Sequence, residues 1–81
     1  MLQELQNGKI VVGIKQLRRA VAEHRVRKVW LADDADPALT EPLEKLCTEA
    51  GIPVTHVPTK RELGQACRIS VGAAAAGLLA P

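Results

Sequence analysis

Aromatic side chains are almost absent from this sequence of 81 residues: Trp30 is the only one, and there is no Phe or Tyr. Domains that bind nucleic acids by stacking the bases need a platform of exposed rings, so the composition excludes that mode of recognition. The hydrophobic fraction is still 47%, which is ordinary for a folded protein. We therefore expect one domain, residues 1–81, with a core built from Val, Leu, Ile and Ala.

Cysteines and long apolar runs are also scarce. Only Cys47 and Cys67 occur, each inside an apolar helical pattern and neither in a CxxC pair. We interpret both as buried core residues rather than as disulfide partners or zinc ligands. The longest apolar run, VGAAAAGLLA, is shorter than the ~20 residues that span a bilayer, and the opening MLQELQNGK has no signal-peptide core. We therefore expect a cytoplasmic protein with no membrane partner.

Side chains arranged for catalysis or for metal binding are missing as well. The single serine, Ser70, lies in no nucleophile-elbow motif, and no local motif pairs His24 or His56 with a cysteine or with other ligands. The run ADDADP lacks the glycine and the further ligands of a calcium-binding loop. We interpret its three aspartates as strand-end and helix-cap residues, and we expect no enzyme, no metal and no cofactor.

Charge is unevenly distributed along the chain. Residues 1–30 carry seven Lys/Arg against two Glu, residues 31–58 one Lys against six acids, and residues 59–81 three Lys/Arg against one Glu. The two ends are therefore basic and the middle is acidic. Such a division suits a protein with one face for an anion and another for solvent, although solvated faces alone also produce it.

Apolar periodicity predicts alternating helices and strands. The predicted order is helix 1–8, strand 9–13, helix 14–25, strand 26–34, helix 34–51, strand 52–58 and helix 59–68. The remaining segment is ambiguous: its run of four alanines favours a helix, its glycines and Pro81 argue against a long one, and the preceding alternation favours a strand. The alternation is typical of an α/β domain in which helices cover both faces of a mixed or mostly parallel sheet.

Capping residues indicate where two of the helices begin. Asp36 can cap the helix that contains Pro37 at its first position, although Pro42 either kinks the first turn or delays the regular helix until nearer residue 40. Thr59 followed by Glu62 forms a capping-box pattern for the next helix.

The helix that follows Gly13 has an unusual charge at its start, with Lys15, Arg18 and Arg19 on one face and no capping side chain. Its apolar face comprises Ile14, Leu17, Ala20, Val21 and His24. Because a helix N-terminus carries partial positive charge, cations there would destabilise an empty site but would suit a bound polyanion. A solvated basic face is the alternative. A mononucleotide is less expected, since GIKQLRR is neither GxGxxG nor a P-loop.

Two separate segments resemble motifs of a known family. VVGIKQLRR resembles a strand followed by a G-x-N-E-x-x-K segment that opens a helix, and LGQACRISVGAAAA resembles L-G-x-A-x-G-(I/V)-x-V followed by small residues. Both motifs belong to the kink-turn RNA-binding ribosomal proteins L7Ae and L30e, and ADDADP resembles their small bacterial relatives. The resemblance covers essentially the whole chain, with helices and strands in the same order.

This resemblance implies an α/β fold, a three-layer α/β/α sandwich with a mixed sheet of about four strands, and it makes GAAAAGLL a strand. It also implies an RNA that is sharply bent, with tandem sheared G·A pairs seated at the start of the helix after Gly13. Lys15 and Gln16 would address guanine edges, Arg19 a base edge or phosphate, and the 68–71 loop would cover flipped-out bases. The implied RNA-binding residues are Gly13, Lys15, Gln16, Arg18, Arg19, Arg68, Ile69, Ser70 and Val71.

Three positions depart from the family pattern: Lys15 replaces Asn, Gln16 replaces Glu, and Arg68 replaces a loop glycine. Gln16 keeps an acceptor oxygen but loses the charge that strengthens bonds to guanine N–H groups, so selectivity for G·A pairs would fall while backbone affinity is kept. The expected partner is a kink-turn RNA in a ribosomal or ribonucleoprotein setting, bound by a monomer. The alternative is a protein-interaction module on the same fold with weak or non-specific RNA binding.

Overall fold

Four strands form a single mixed sheet in the computed structural model, which describes residues 8–80. The elements are β1 (Ile10–Val12), α1 (Ile14–Ala22), β2 (Val26–Ala32), α2 (Pro37–Glu49), β3 (Val54–Val57), α3 (Lys60–Ala66) and β4 (Ala75–Leu79). The helix predicted for residues 1–8 lies outside the described residues except for Gly8. None of the helices between residues 8 and 80 is long and apolar enough to cross a membrane.

The strand order β1-β4-β2-β3 places β4 inside the sheet. It pairs antiparallel with both β1 and β2, whereas β2 and β3 are parallel, so the expectation of a mixed sheet is confirmed. The ambiguous last segment is therefore a strand. Helix propensity is overruled there because Ala75 to Leu78 are buried in the middle of the sheet, where small side chains let both flanking layers approach.

Helices cover the two faces of the sheet, which confirms the α/β/α arrangement. One face packs against α1 and α2, and its fully buried side chains include Leu17, Val21, Val29, Leu31, Leu43 and Cys47. The other packs against α3, and its buried side chains include Trp30, Ala32, Val57, Leu63, Ala66 and Cys67. Both cysteines are free and buried, as predicted, and burial raises the pKa of each thiol.

The two predicted N-caps, Asp36 and Thr59, are confirmed, whereas the predicted disturbance of α2 by Pro42 is not found. The Asp36 carboxylate accepts a hydrogen bond from the Ala38 amide at 3.0 Å, and α2 runs from Pro37 through Pro42 without a break. Pro42 is exposed, so water can reach the carbonyl that its missing N–H leaves free. The Thr59 hydroxyl accepts from the Glu62 amide at 3.1 Å at the start of α3.

The end of α1 differs from the prediction. The helix ends at Ala22, and His24 adopts a φ of 58° in the following turn. His24 is therefore exposed rather than part of the apolar face, which comprises the buried Leu17, Ala20 and Val21.

The loop that joins α3 to β4 lies directly on α3 because Gly64 has no side chain. A Cβ atom at Gly64 would collide with the backbone oxygen of Val71 and would lie 3.1 Å from the Cα atom of Gly72. The loop backbone occupies the space that any other residue at this position would need.

We expect Gly64→Ala to lower the free energy of unfolding by about 1–2 kcal/mol, because the cost of overpacking exceeds the gain in helix propensity. Urea denaturation followed by circular dichroism measures this change. Gln65→Ala is the matched control, since Gln65 is exposed on the same helix and its loss should change stability by less than about 0.5 kcal/mol. Equal stability of the two variants would contradict the close packing.

Candidate nucleic-acid interface

The N-terminus of α1 has no side-chain cap. Gly13 occupies the N-cap position with φ 107° and ψ 147°, no side chain bonds to the exposed amides, and the first turn contains no acidic residue. The other two described helices are capped by Asp36 and Thr59. The start of α1 therefore offers free amide donors and the positive end of the helix dipole to a ligand.

Gln16 folds back over this helix start. Its Oε1 atom lies only 2.6 Å from the position that a Cβ atom at Gly13 would occupy. The positive φ of Gly13 favours glycine at this position, and a larger residue would also displace the exposed Gln16 amide. The arrangement holds a group that both donates and accepts hydrogen bonds beside the uncapped amides.

The exposed face of α1 is cationic, as the periodicity predicts. Arg19 has a side chain that is 81% exposed, and its only ion pair with another residue of the described range 8–80 is a long contact of 3.7 Å with Glu23. Neither Lys15 nor Arg18 forms an ion pair with another residue between 8 and 80. An open depression of about 470 Å³ on this face is lined by Lys15, Gln16, Arg18, Arg19 and Ala22.

The 68–71 loop presents a short apolar tip next to a cation. Arg68 is exposed and has a φ of 61°, which is the left-handed conformation that favours glycine. Ile69 is half-buried against the core under α3, while Ser70 and Val71 are exposed. Val71 is 68% exposed, one of two large hydrophobic side chains that are exposed in the described part of the chain.

One backbone hydrogen bond links the start of α1 to β4, the strand that follows the 68–71 loop. The Gly13 amide donates to the Ala75 carbonyl at 3.0 Å, and Ala75 is the first residue of β4, directly after the loop region. The carboxyl end of β1 and the amino end of β4 therefore lie side by side. The nine residues that the family resemblance implies fall on these two segments, the first two turns of α1 and the loop.

A second group of polar side chains lies on the acidic part of the chain and was missed in the sequence. The His56 ring forms two hydrogen bonds, from Nδ1 to Asp33 at 2.8 Å and from Nε2 to Glu44 at 2.9 Å. Leu31 pairs with His56 in the parallel β2–β3 register, and Asp33 follows Leu31 by two residues. The pairing of Asp33 with His56 could have been inferred only once the two strands were known to be neighbours.

Comparison with known proteins gives the family of the chain. Residues 2–80 match the model of the "Ribosomal protein L7Ae/L30e/S12e/Gadd45 family", and the protein belongs to this family. The "RNA-binding protein YbxF" of Geobacillus stearothermophilus is 47% identical over 75 residues, covering 93% of this chain and 92% of the relative. An "RNA-binding protein" of Geobacillus thermodenitrificans is 45% identical over 75 residues, with the same two shares covered.

A solved structure confirms the fold. The "15.5kD RNA binding protein" of Giardia lamblia superposes with a TM-score of 0.88 at 26% identity, covering 99% of this chain and 68% of the other. The family resemblance and the α/β fold that it implied are therefore both confirmed.

The contacts of His56 predict a pH-dependent stability. Hydrogen bonds to Glu44 and then to Asp33 raise the pKa of His56 above its usual 6.5. Because His56 has a higher pKa in the folded protein than in the unfolded chain, its protonation stabilises the fold. This stabilisation is fully present at pH values below the pKa of the unfolded chain, and it is lost as the pH rises through the pKa of the folded protein. We expect the difference in free energy of unfolding between the wild type and His56→Gln to shrink as the pH rises above 6.5. Urea denaturation at several pH values measures it.

His24→Gln is the matched control for that experiment, because His24 is exposed and forms no hydrogen bond between side chains in the described chain. It should keep the pH dependence of the wild type. A constant difference between the wild type and His56→Gln across this range would contradict the role of the two carboxylates.

The left-handed backbone of Arg68 predicts that glycine is better tolerated there. We expect Arg68→Gly to raise the free energy of unfolding by up to about 1 kcal/mol, since relief of the left-handed conformation exceeds the entropy that glycine adds to the unfolded chain. Thermal denaturation measures the change. Arg68→Ala keeps a Cβ atom and should not be stabilised, so an equal gain in both variants would refute the explanation.

Proposed function

We propose that the protein binds structured RNA, and that the RNA it selects contains a kink-turn. The binding surface consists of the start of α1 and the 68–71 loop. Both segments carry the family motifs, and the relatives compared above are named as RNA-binding proteins. We also propose that the protein acts by binding rather than by catalysis.

The uncapped, cationic start of α1 is the observation that carries this proposal. The chain provides a capping side chain for α2 and for α3 but none for α1, where it places Lys15, Arg18 and Arg19. An empty site of this kind is unfavourable, because the cations add to the positive end of the helix dipole. A phosphate backbone would bond to the free amides and neutralise the cations together.

The polar side chains at the helix start would read the sheared G·A pairs. Lys15 and Gln16 would donate to and accept from guanine edges, and Arg19 would reach a nearby base edge or phosphate. The Gln16 amide already lies over Gly13, beside the donors that would hold the backbone. Because Gln16 is neutral, its bonds to guanine N–H groups are weaker than those of a carboxylate, which predicts a modest selectivity.

The 68–71 loop would cover the bases that a kink-turn turns outward. Its exposed Val71 and half-buried Ile69 offer aliphatic contacts, which a protein without an aromatic platform needs. Ser70 adds an exposed hydroxyl, and Arg68 adds an exposed cation that can reach a phosphate. The whole surface comes from one chain, so a monomer suffices, and we propose that it acts in a ribosomal or ribonucleoprotein particle.

A titration of two RNAs tests the proposal. We expect a kink-turn RNA to bind about 10-fold or more tightly than the same RNA with its sheared G·A pairs changed to Watson–Crick pairs, a difference of about 1.4 kcal/mol. Both affinities must be measured at one salt concentration, because phosphate contacts depend steeply on salt. Lys15→Ala and Arg19→Ala should each weaken kink-turn binding by about 10-fold or more without changing the circular dichroism spectrum.

Lys45→Ala is the control for the loss of one positive charge, since Lys45 is exposed on α2 and belongs to neither segment. It should leave RNA binding nearly unchanged. Equal binding of the two RNAs would indicate a generic basic surface, and the absence of binding to either would favour the protein-interaction module.

A further inference from the structure

We propose that Asp34 is a positioning residue that holds the 68–71 loop in place for RNA. Asp34 belongs to neither segment of the proposed binding surface, and it acts through the first residue of α3. The RNA part of this inference rests on the proposed function, whereas the structural part concerns the free protein.

Asp34 caps α3 from a distant turn. Its Oδ1 atom accepts a hydrogen bond from the Lys60 amide at 2.7 Å, across 26 residues of sequence. The local cap, Thr59, accepts from Glu62 instead, so without Asp34 the exposed Lys60 amide would be left to water. The carboxylate also lies at the positive end of the helix, where its charge is favourable.

Lys60 links this cap to the end of the loop. Its carbonyl accepts a hydrogen bond from the Ala73 amide at 3.0 Å. Gly72 packs against the same residue, since a Cβ atom there would lie 3.1 Å from the Cβ atom of Lys60. The backbone of Lys60 is thus held by Asp34 on its amide side and holds the loop on its carbonyl side.

The loop has its other anchor on the same helix. The Arg68 and Ile69 amides donate to the Gln65 and Gly64 carbonyls at 3.0 and 3.1 Å. Between Ile69 and Ala73 no backbone hydrogen bond to another described residue holds the chain. The position of the tip therefore depends on these two anchors and on the packing of the Val71 oxygen against Gly64.

The turn that carries Asp34 is itself fixed to the sheet. The Asp33 amide donates to the Val57 carbonyl at 2.8 Å, and the Ala32 amide donates to the Ala74 carbonyl at 2.9 Å. Asp34 therefore connects the start of α3 to the end of β2. The chain that follows the loop is bonded to the same end of β2, through Ala32 and Ala74. Without this tie, only the bond from the Ala73 amide to the Lys60 carbonyl holds the start of α3 to the chain that enters β4, and we expect that bond to open more often.

The direction in which RNA affinity changes when Asp34 is removed distinguishes a positioning role from a purely electrostatic one. A carboxylate near a bound polyanion repels it, so removal of Asp34 should tighten RNA binding if only its charge mattered. A positioning role predicts weaker binding. Asp36 offers a matched control because it also lies in ADDADP and also accepts one hydrogen bond at a helix start, but that helix is α2.

The experiment compares Asp34→Ala, Asp34→Asn and Asp36→Ala in the full chain. Amide hydrogen exchange followed by NMR reports the Ala73 amide in the free protein, and a titration at fixed salt reports affinity for the kink-turn RNA. We expect Asp34→Ala to accelerate exchange at Ala73 by about 10-fold and to weaken RNA binding by about 5-fold. Asp34→Asn keeps an acceptor oxygen and should stay within about 3-fold of the wild type in both measurements.

Asp36→Ala should leave Ala73 exchange unchanged and should bind RNA at least as tightly as the wild type. If Asp34→Ala matches Asp36→Ala at Ala73, then Asp34 does not hold the loop and the inference fails. Faster exchange with undiminished RNA affinity would overturn the role in binding. If the wild type binds no kink-turn RNA, the proposed function and the RNA part fail together, while the exchange rates still decide the structural part.

Discussion

The close approach of both helical layers to β4 is the constraint on which the rest of the fold depends. A chain with one aromatic residue cannot fill wide gaps with large rings, so its layers must lie near each other. The small residues of β4 allow this: a Cβ atom at Gly77 would collide with Leu17 of α1. On the other face, Ala76 packs in the core that includes Trp30 and Leu63. β4, whose alanines would favour a helix, thus determines how closely the helices pack on the two faces of the sheet.

The same strand determines where the proposed binding surface forms. Ala75, its first residue, accepts the hydrogen bond from Gly13, and the loop precedes it on the chain. The start of α1 and the 68–71 loop therefore both lie near the amino end of β4: the first is hydrogen-bonded to it, and the second leads into it along the chain. The backbone is hydrogen-bonded where the helix start meets β4, whereas most side chains of the two segments are exposed, a combination that suits recognition of an RNA shape.

The parts of the structure that follow from local patterns could be predicted. Periodicity placed Leu17 and Arg19 on opposite faces of α1, and the caps of α2 and α3 were visible as Asp36 and Thr59. The strand after the loop could not be derived from propensity, because its alanines are explained only by burial on both faces. The contacts of His56 and Asp34 were also inaccessible, since they join residues 12 to 26 positions apart. Such contacts depend on the order of strands, which no local pattern contains.

Trp30 gives the molecule a property that its packing alone does not suggest. With no Tyr and no second Trp, a single indole is the source of the protein's intrinsic fluorescence. That ring is 1% exposed, its Nε1 atom has no hydrogen-bond partner within the described residues, and Ile69 packs on the cluster that contains it. The colour and intensity of its emission should therefore respond to water that enters beneath α3. The fluorescence of Trp30 therefore reports, without a label, on the core against which the proposed RNA-binding loop packs.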